Sequence, residues 1–292
     1  MRTIYIQNNP IQIKDEECIC NQMLSANRSR PIEKQHVDIT FIIGEKCNAN
    51  CAFCCGPKEL IIPINISAFK SFFNECVSQI AVRKITFTGG EPTLPCYFPT
   101  IKEIGLWIKS ISPTTQIIIN TNGSNLIVLA NQFWIDTIAL SKHHYRSSIN
   151  DSIFKTFTAD EIDILMFTDK KKITFSCVCQ KGFIDSGEEV EKYLKYAALQ
   201  GIFSVGLYSL IPASQYAIDN YVDPYTFTYS KNVLQYKSFD YPCSDVCKCK
   251  NFVYLNKDIN DNAVFFYIRK NLNSSYNKGS YIIWKNNRID FF

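Results

Sequence analysis

The stretch DITFIIGEKCNANCAFCCG, residues 38–56, runs from an apolar, β-branched segment into a loop that packs Cys47, Cys51, Cys54 and Cys55 into nine positions. The first part reads as a strand, and the cysteines leave its carboxyl end. Disulfides, zinc, a reactive thiol and an iron–sulfur cluster each require a different neighbourhood, so the rest of the chain must choose among them. At 292 residues the chain can bury a large core without covalent staples, and its thirteen cysteines therefore ask for a chemical role. The N-terminal MRTIYIQNNPIQIKDEEC lacks the apolar core of a secretory signal. No later run approaches the roughly 18 apolar residues of a membrane span. The expected location is cytoplasmic, where thiols stay reduced and clustered cysteines more often hold metal than pair. A net charge of +4, with no basic block beyond Lys170, Lys171 and Lys172, is a weak signal for nucleic acid.

Outward from that stretch, residues 37–211 alternate short β-branched runs with segments of helical period, the pattern of a parallel sheet wrapped by helices. Six strands are predicted: 38–43, 84–89, 116–120, 135–141, 172–179 and 203–210. Phe69, Phe72, Phe73, Cys76, Val77 and Ile80 fall on one helical face after Ser67, which is expected to cap it. Ser186 with Glu189, and Thr158 with Glu161, fit capping boxes, and Gly201 is placed to end the helix carrying Val190, Tyr193, Leu194, Ala197 and Ala198. Beyond Pro212 the alternation fails, and aromatic, Pro-punctuated sequence leads through YPCSDVCKCK (241–250) to short strand-like runs. The division expected is an N-terminal extension (1–36), an α/β unit (37–212) and a small α+β cap (213–292).

Cys47, Cys51 and Cys54 are spaced Cys-x3-Cys-x2-Cys. Zinc ribbons offer Cys-x2-Cys pairs in two separated halves, whereas three ligands here crowd one loop. Three thiolates on a four-iron cluster leave one iron open. The second signal is TGGEP, Thr88 to Pro92, at the end of the second strand, where paired glycines allow close backbone approach and Glu91 supplies a carboxylate. Together the two motifs resemble the radical S-adenosylmethionine superfamily. The resemblance covers about residues 37–211 and implies a partial (β/α)6 TIM barrel around a [4Fe–4S] cluster held by Cys47, Cys51 and Cys54. It implies that S-adenosylmethionine chelates the open iron, that Gly89, Gly90 and Glu91 meet its amino group, and that its reductive cleavage yields a 5′-deoxyadenosyl radical that abstracts hydrogen from a substrate. Cys55 lies outside the ligand pattern. A flavodoxin- or ferredoxin-type electron donor is the implied partner.

Weaker candidates sit at the ends of later strands. NTNG (120–123) offers Asn120 and Asn122 to the cofactor, with a plain turn as the competing reading, and Ser141 closes the fourth strand with a similar claim. His143 and His144 follow it, over the expected barrel mouth. Cys177 and Cys179 share one face of a strand; packing is the preferred reading, and donation of hydrogen to a substrate radical from inside the barrel is the alternative. Gly206 would let adenine lie against backbone or would kink its strand. Cys76 reads as core, and the role of Cys96 stays open.

Cys243, Cys247 and Cys249 form a Cys-x3-Cys-x-Cys group that resembles the shortened auxiliary-cluster region, or twitch domain, of the molybdopterin-cyclase type. A second iron–sulfur cluster is therefore expected, with zinc or a reduced loop as alternatives and Cys18 or Cys20 as a source of a further ligand. The substrate class stays open among a small molecule, a nucleotide and a peptide. Only 36 residues precede the first predicted strand, too few for the leader-binding domain of many peptide-modifying relatives, which tilts the expectation toward a small metabolite or nucleotide. The non-enzymatic rival is a zinc-binding interaction module.

Overall fold

The computed structural model describes residues 2–13, 36–54, 56, 63–235, 250–255, 263–269 and 281–290. Strands β1 (Arg2–Ile6) and β2 (Asn9–Ile13) form a separate antiparallel hairpin. Its Ile4, Ile6, Ile11 and Ile13 join the main core. The hairpin is tied to α1 (Ile66–Gln79) where the Gln79 amide donates to the Tyr5 carbonyl at 2.7 Å.

Six parallel strands follow in chain order and pair in that order: β3 (His36–Ile42), β4 (Ala81–Thr88), β5 (Gln116–Thr121), β6 (Thr137–Ser141), β7 (Ile173–Cys179) and β8 (Ser204–Ser209). The helices between them include α1, α2 (Phe98–Ile111), α3 (Ser147–Phe154), α4 (Glu161–Leu165) and α5 (Gly187–Leu199). A short α6 (Gln215–Asp219) comes after β8. These are the six strands expected from the β-branched runs, with ends shifted by a few residues. No helix among the described residues is long and apolar enough to cross a membrane.

The described strands beyond residue 212 extend this sheet at both edges. On one side β12 (Tyr281–Lys285) lies parallel to β3 and is continued antiparallel by β13 (Arg288–Asp290). On the other, β11 (Ala263–Arg269) lies parallel to β8 and is continued antiparallel by β10 (Lys250–Leu255) and β9 (Val233–Gln235). The result is one mostly parallel sheet of eleven strands. Backbone pairing therefore crosses the boundary at which the hydrophobic alternation fails.

A parallel sheet covered on both faces is apolar on both, and this one is not. Phe41, Phe87, Ile119, Leu140, Phe175 and Leu207 are fully buried on the face the helices cover. Phe41 meets Phe69 of α1 with ring centroids 4.6 Å apart, and Trp284 of β12 stacks on Phe72 at 4.7 Å. Burial of each such side chain contributes about 1.5–3 kcal/mol, which is what holds the layers together. The alternate positions carry Asp38, Thr40, Lys84, Thr86, Asn120, Ser141, Ser176, Tyr208 and Tyr267. A register shift beside Val37 and Asp38 brings Arg83 and Lys84 of β4 together on Asp38, with Arg83 Nε donating to Oδ1 at 2.7 Å and Lys84 Nζ 3.2 Å from Oδ2. The polar face is thus built to surround something other than a hydrophobic layer.

Two caps differ from expectation. Asn65, not Ser67, caps α1: its extended backbone lets its side chain accept from the Ala68 N–H at 2.9 Å, while Ser67 already lies inside the helix. Asp160 and Asp163, not Thr158 and Glu161, form the reciprocal box at α4, because the Thr158 hydroxyl is engaged by Asp151 at 2.7 Å. Ser186 does cap α5, accepting from the Glu189 N–H, and Gly201 follows its end at φ +74°.

Candidate functional site

Three loops leave the carboxyl ends of β3, β4 and β5, and they are fastened to one another. The Ile43 N–H donates to the Thr88 carbonyl at 2.9 Å, the Gly90 N–H to Gly44 at 2.8 Å, and the Glu91 N–H to Lys46 at 3.0 Å. This backbone ladder carries the strand pairing of β3 and β4 on into their loops. The paired glycines are what allow it. A Cβ on Gly90 would lie 1.8 Å from the Lys46 carbonyl oxygen, and one on Gly89, at φ +124°, would lie 2.5 Å from that of Gly44. Sequence reasoning expected these glycines to let backbone approach a ligand; the close approach in the structure is to the cysteine loop itself. Below it, the buried Tyr97 hydroxyl accepts from the Lys46 N–H at 3.2 Å and fills the space beside Gly44.

Glu91 is 1% exposed. Its Oε1 accepts from the Thr93 N–H (3.0 Å), the Thr93 hydroxyl (2.6 Å) and the Thr121 hydroxyl (2.6 Å), and its Oε2 accepts from the Asn122 N–H (2.8 Å). Burial raises the pKa of this carboxyl, and the hydrogen bonds from Thr121, Thr93 and Asn122 act against that rise. The side chain expected to meet a cofactor ammonium is thus held by protein donors, and it ties the Gly-Gly turn to the NTNG loop. Asn122 is similarly engaged: its Nδ2 donates to Asn48 Oδ1 at 2.9 Å and its Oδ1 accepts from the Ser124 N–H at 2.9 Å. Asn48 Nδ2 in turn donates to Ser124 Oγ at 2.8 Å. Asn48, between the first two cysteines, thereby joins the first loop to the third. Sequence reading missed it, because its partners Asn122 and Ser124 lie more than seventy residues along the chain and leave no local pattern to find.

The three cysteines of the spacing are not joined by disulfides, with Cys51 buried, Cys47 half-buried and Cys54 exposed. Cys47 Sγ accepts from the Ala49 N–H at 3.3 Å, and the Cys54 N–H donates to the Cys51 carbonyl at 3.2 Å. The loop rests on the end of α3, where Ala49 and Cys51 pack on Phe154 and the Asn50 N–H donates to the Phe154 carbonyl at 2.8 Å. Among the described residues no three cysteine, histidine or carboxylate side chains are gathered as a metal site. In kind, though, the donors fit an iron–sulfur cluster: three cysteine side chains on one braced loop at the rim of a polar face. Cys18, Cys20, Cys55, Cys243, Cys247 and Cys249 lie outside the described residues.

Asn120 and Ser141 stand half-buried on the polar face near the same edge. His143 is buried instead of solvated. Its ring stacks on Phe154 (4.7 Å, 16°), meets Phe53 of the cysteine loop edge-on (5.4 Å), and accepts at Nδ1 from the Val178 N–H at 3.2 Å. Burial pushes its pKa down to about 4, so the ring is neutral at neutral pH. His144 is buried as well, and its Nδ1 accepts from the Arg146 N–H at 3.0 Å. Asn150, fully buried, accepts from the N–H groups of both histidines at 2.6 and 3.2 Å and fixes the turn.

Cys177 and Cys179 are fully buried on the helix-covered face. Cys177 lies in line with Phe175, which packs on Tyr193 and Tyr196 of α5, and its thiol donates to the His143 carbonyl at 3.7 Å. Both therefore face the helices and not the polar face of the sheet, in line with packing. Gly206 is not open either: a Cβ there would meet the hydroxyls of Tyr267 and Tyr208 at 2.7 and 2.8 Å, and those hydroxyls are hydrogen-bonded to each other. Cys76 is core, as expected, and Cys96 is exposed.

No family model matches the chain. Over 140 residues it is 36% identical to an S-adenosylmethionine-dependent nucleotide dehydratase from Flammeovirga pacifica, a match covering 44% of each protein. Among solved structures, Streptococcus suis SuiB is similar in fold at 18% identity, with a TM-score of 0.50 over 62% of this chain and 41% of SuiB. The complex of SuiB with the precursor peptide SuiA gives the same score and coverage at 17% identity. The chain thus spans less than half the length of each of these relatives.

Proposed function

We propose that the chain is an enzyme of the radical S-adenosylmethionine type, in which β3 to β8 form a partial (β/α)6 barrel and Cys47, Cys51 and Cys54 hold a [4Fe–4S] cluster at its carboxyl edge. The observation that carries this reading is the interlock of the cysteine, Gly-Gly-Glu and NTNG loops over adjacent parallel strands. When bound, the cluster with S-adenosylmethionine supplies reductive cleavage of the sulfonium bond and, with it, hydrogen-atom abstraction.

The chain's own residues bind, orient and shield. Tyr97 and the glycine ladder brace the start of the cysteine loop. Glu91 is a positioning residue that fixes the Gly89–Gly90 turn against the NTNG loop, and the cofactor is met by the carbonyl groups of Gly89 and Gly90 and the side chains of Asn120 and Ser141. Phe53, His143 and Phe154 form an apolar wall against Cys51, the buried cysteine of the loop. The hydroxyl-rich polar face suits a substrate with many polar atoms, and the identity to a nucleotide dehydratase supports a nucleotide. A second cluster at Cys243, Cys247 and Cys249, within a C-terminal unit of residues 213–292, completes the proposal, and a flavodoxin- or ferredoxin-type donor delivers the electron.

Anaerobic reconstitution followed by iron counting and a 5′-deoxyadenosine assay tests it. Wild type should bind iron and form 5′-deoxyadenosine, faster with nucleotides than with peptides, and alanine at any of Cys47, Cys51 or Cys54 should abolish the product. Zinc in place of iron, or product from the triple variant, would overturn the reading.

A further inference from the structure

We infer that the β12–β13 hairpin is a clasp that sets the position of the cysteine loop, with Asn287 as its principal positioning residue and Lys285 as the lesser one; the inference rests on reading that loop as the cluster loop. β12 runs parallel to β3 with Lys285 level with Ile42, so the hairpin turn stands where the cysteine loop begins. Asn286 and Asn287 form a two-residue turn at φ +52° and +62°, a left-handed pair that asparagine and glycine both tolerate.

Glycine would satisfy the backbone, but the Asn287 side chain does something glycine cannot. Its Oδ1 accepts from the Asn65 N–H at 2.7 Å and its Nδ2 donates to the Pro63 carbonyl at 3.0 Å. That is the far end of the same loop, at the residue that caps α1. Lys285, two residues earlier, lies 3.5 Å from Glu45 at the near end. One hairpin therefore grips the loop where it leaves β3 and where it enters α1. Two side-chain hydrogen bonds to backbone outweigh a partly solvated ion pair, which places the main effect on Asn287.

The test uses the full chain and the Asn287→Gly variant, which keeps the turn's backbone and deletes only the two bonds. In the apo protein, hydrogen exchange is read at the amides of Lys46, Ala49, Asn50 and Cys54, each hydrogen-bonded in the loop. Exchange there should quicken about tenfold while the amides of α5 keep their wild-type rates, and Lys285→Met should give a smaller change in the same residues. In reconstituted protein, iron should pass to a chelator faster by a similar factor. Loop rates equal to wild type, or an equal acceleration in α5, would overturn the clasp. A wild-type chain that binds no iron would sink the cluster reading alone, since the exchange comparison needs no metal.

Discussion

Glu91 shows how a single carboxylate changes meaning once its partners are known. Four donors converge on it in a buried site, so Glu91→Gln turns an acceptor into an amide that faces N–H and O–H groups. Loss of charged, buried hydrogen bonds of this kind costs about 3 kcal/mol. The variant should therefore unfold at lower denaturant than wild type and hold iron poorly. If Glu91 instead acted only on a cofactor ammonium, its stability without cofactor would match wild type, and urea titration of the apo chains separates the two cases.

At the scale of elements, the contact between β3 and β4 can be tested at both ends. At the loop end, Gly90→Ala forces a methyl into the Lys46 carbonyl, so the two loops must separate. We expect S-adenosylmethionine affinity, read by equilibrium dialysis on reconstituted protein, to fall at least tenfold, about 1.4 kcal/mol; Gly182→Ala, with open space around it though at positive φ, should leave affinity unchanged. At the other end, burial would raise the pKa of Asp38, but Lys84 and Arg83 together outweigh it and hold the carboxyl below its ordinary 3.8. A lowered carboxyl pKa means stability that is present above about pH 4 and lost as pH falls through the lowered value. Wild type should lose stability steeply in that acid window. Asp38→Asn should be less stable at neutral pH by about 3–5 kcal/mol, with Arg83 and Lys84 deprived of this carboxylate, and its acid slope should be flatter. Identical slopes in the two proteins would remove Asp38 as the source.

For the whole molecule, the proposed second cluster makes a prediction about stoichiometry. Reconstituted wild type should carry about eight irons and the triple alanine variant at Cys243, Cys247 and Cys249 about four, with some 5′-deoxyadenosine still formed but substrate turnover lost. Four irons in wild type would reduce the chain to one cluster. Because β11 (263–269) and β12 (281–285) pair with the two outer strands of the β3–β8 array, deleting the segment after residue 212 should unfold the remainder instead of releasing an active enzyme. A truncated chain with a cooperative melt would refute that dependence.

Local chemistry was readable from the chain alone. The β-branched runs located the six parallel strands β3 to β8, and the Cys-x3-Cys-x2-Cys and Gly-Gly-Glu-Pro spacings located the loops at two of their ends, because strand period and motif spacing are properties of neighbouring residues. What escaped that reading depends on residues far apart. Whether Glu91 faces a ligand or the protein is decided by Thr121 and Asn122, some thirty residues on, and which way Cys177 points is decided by the packing of Phe175 on α5. Likewise, nothing near Asn287 announces that its amide reaches Pro63 and Asn65. Only the sheet, by placing β12 beside β3, brings the end of the chain to the loop that its third strand begins.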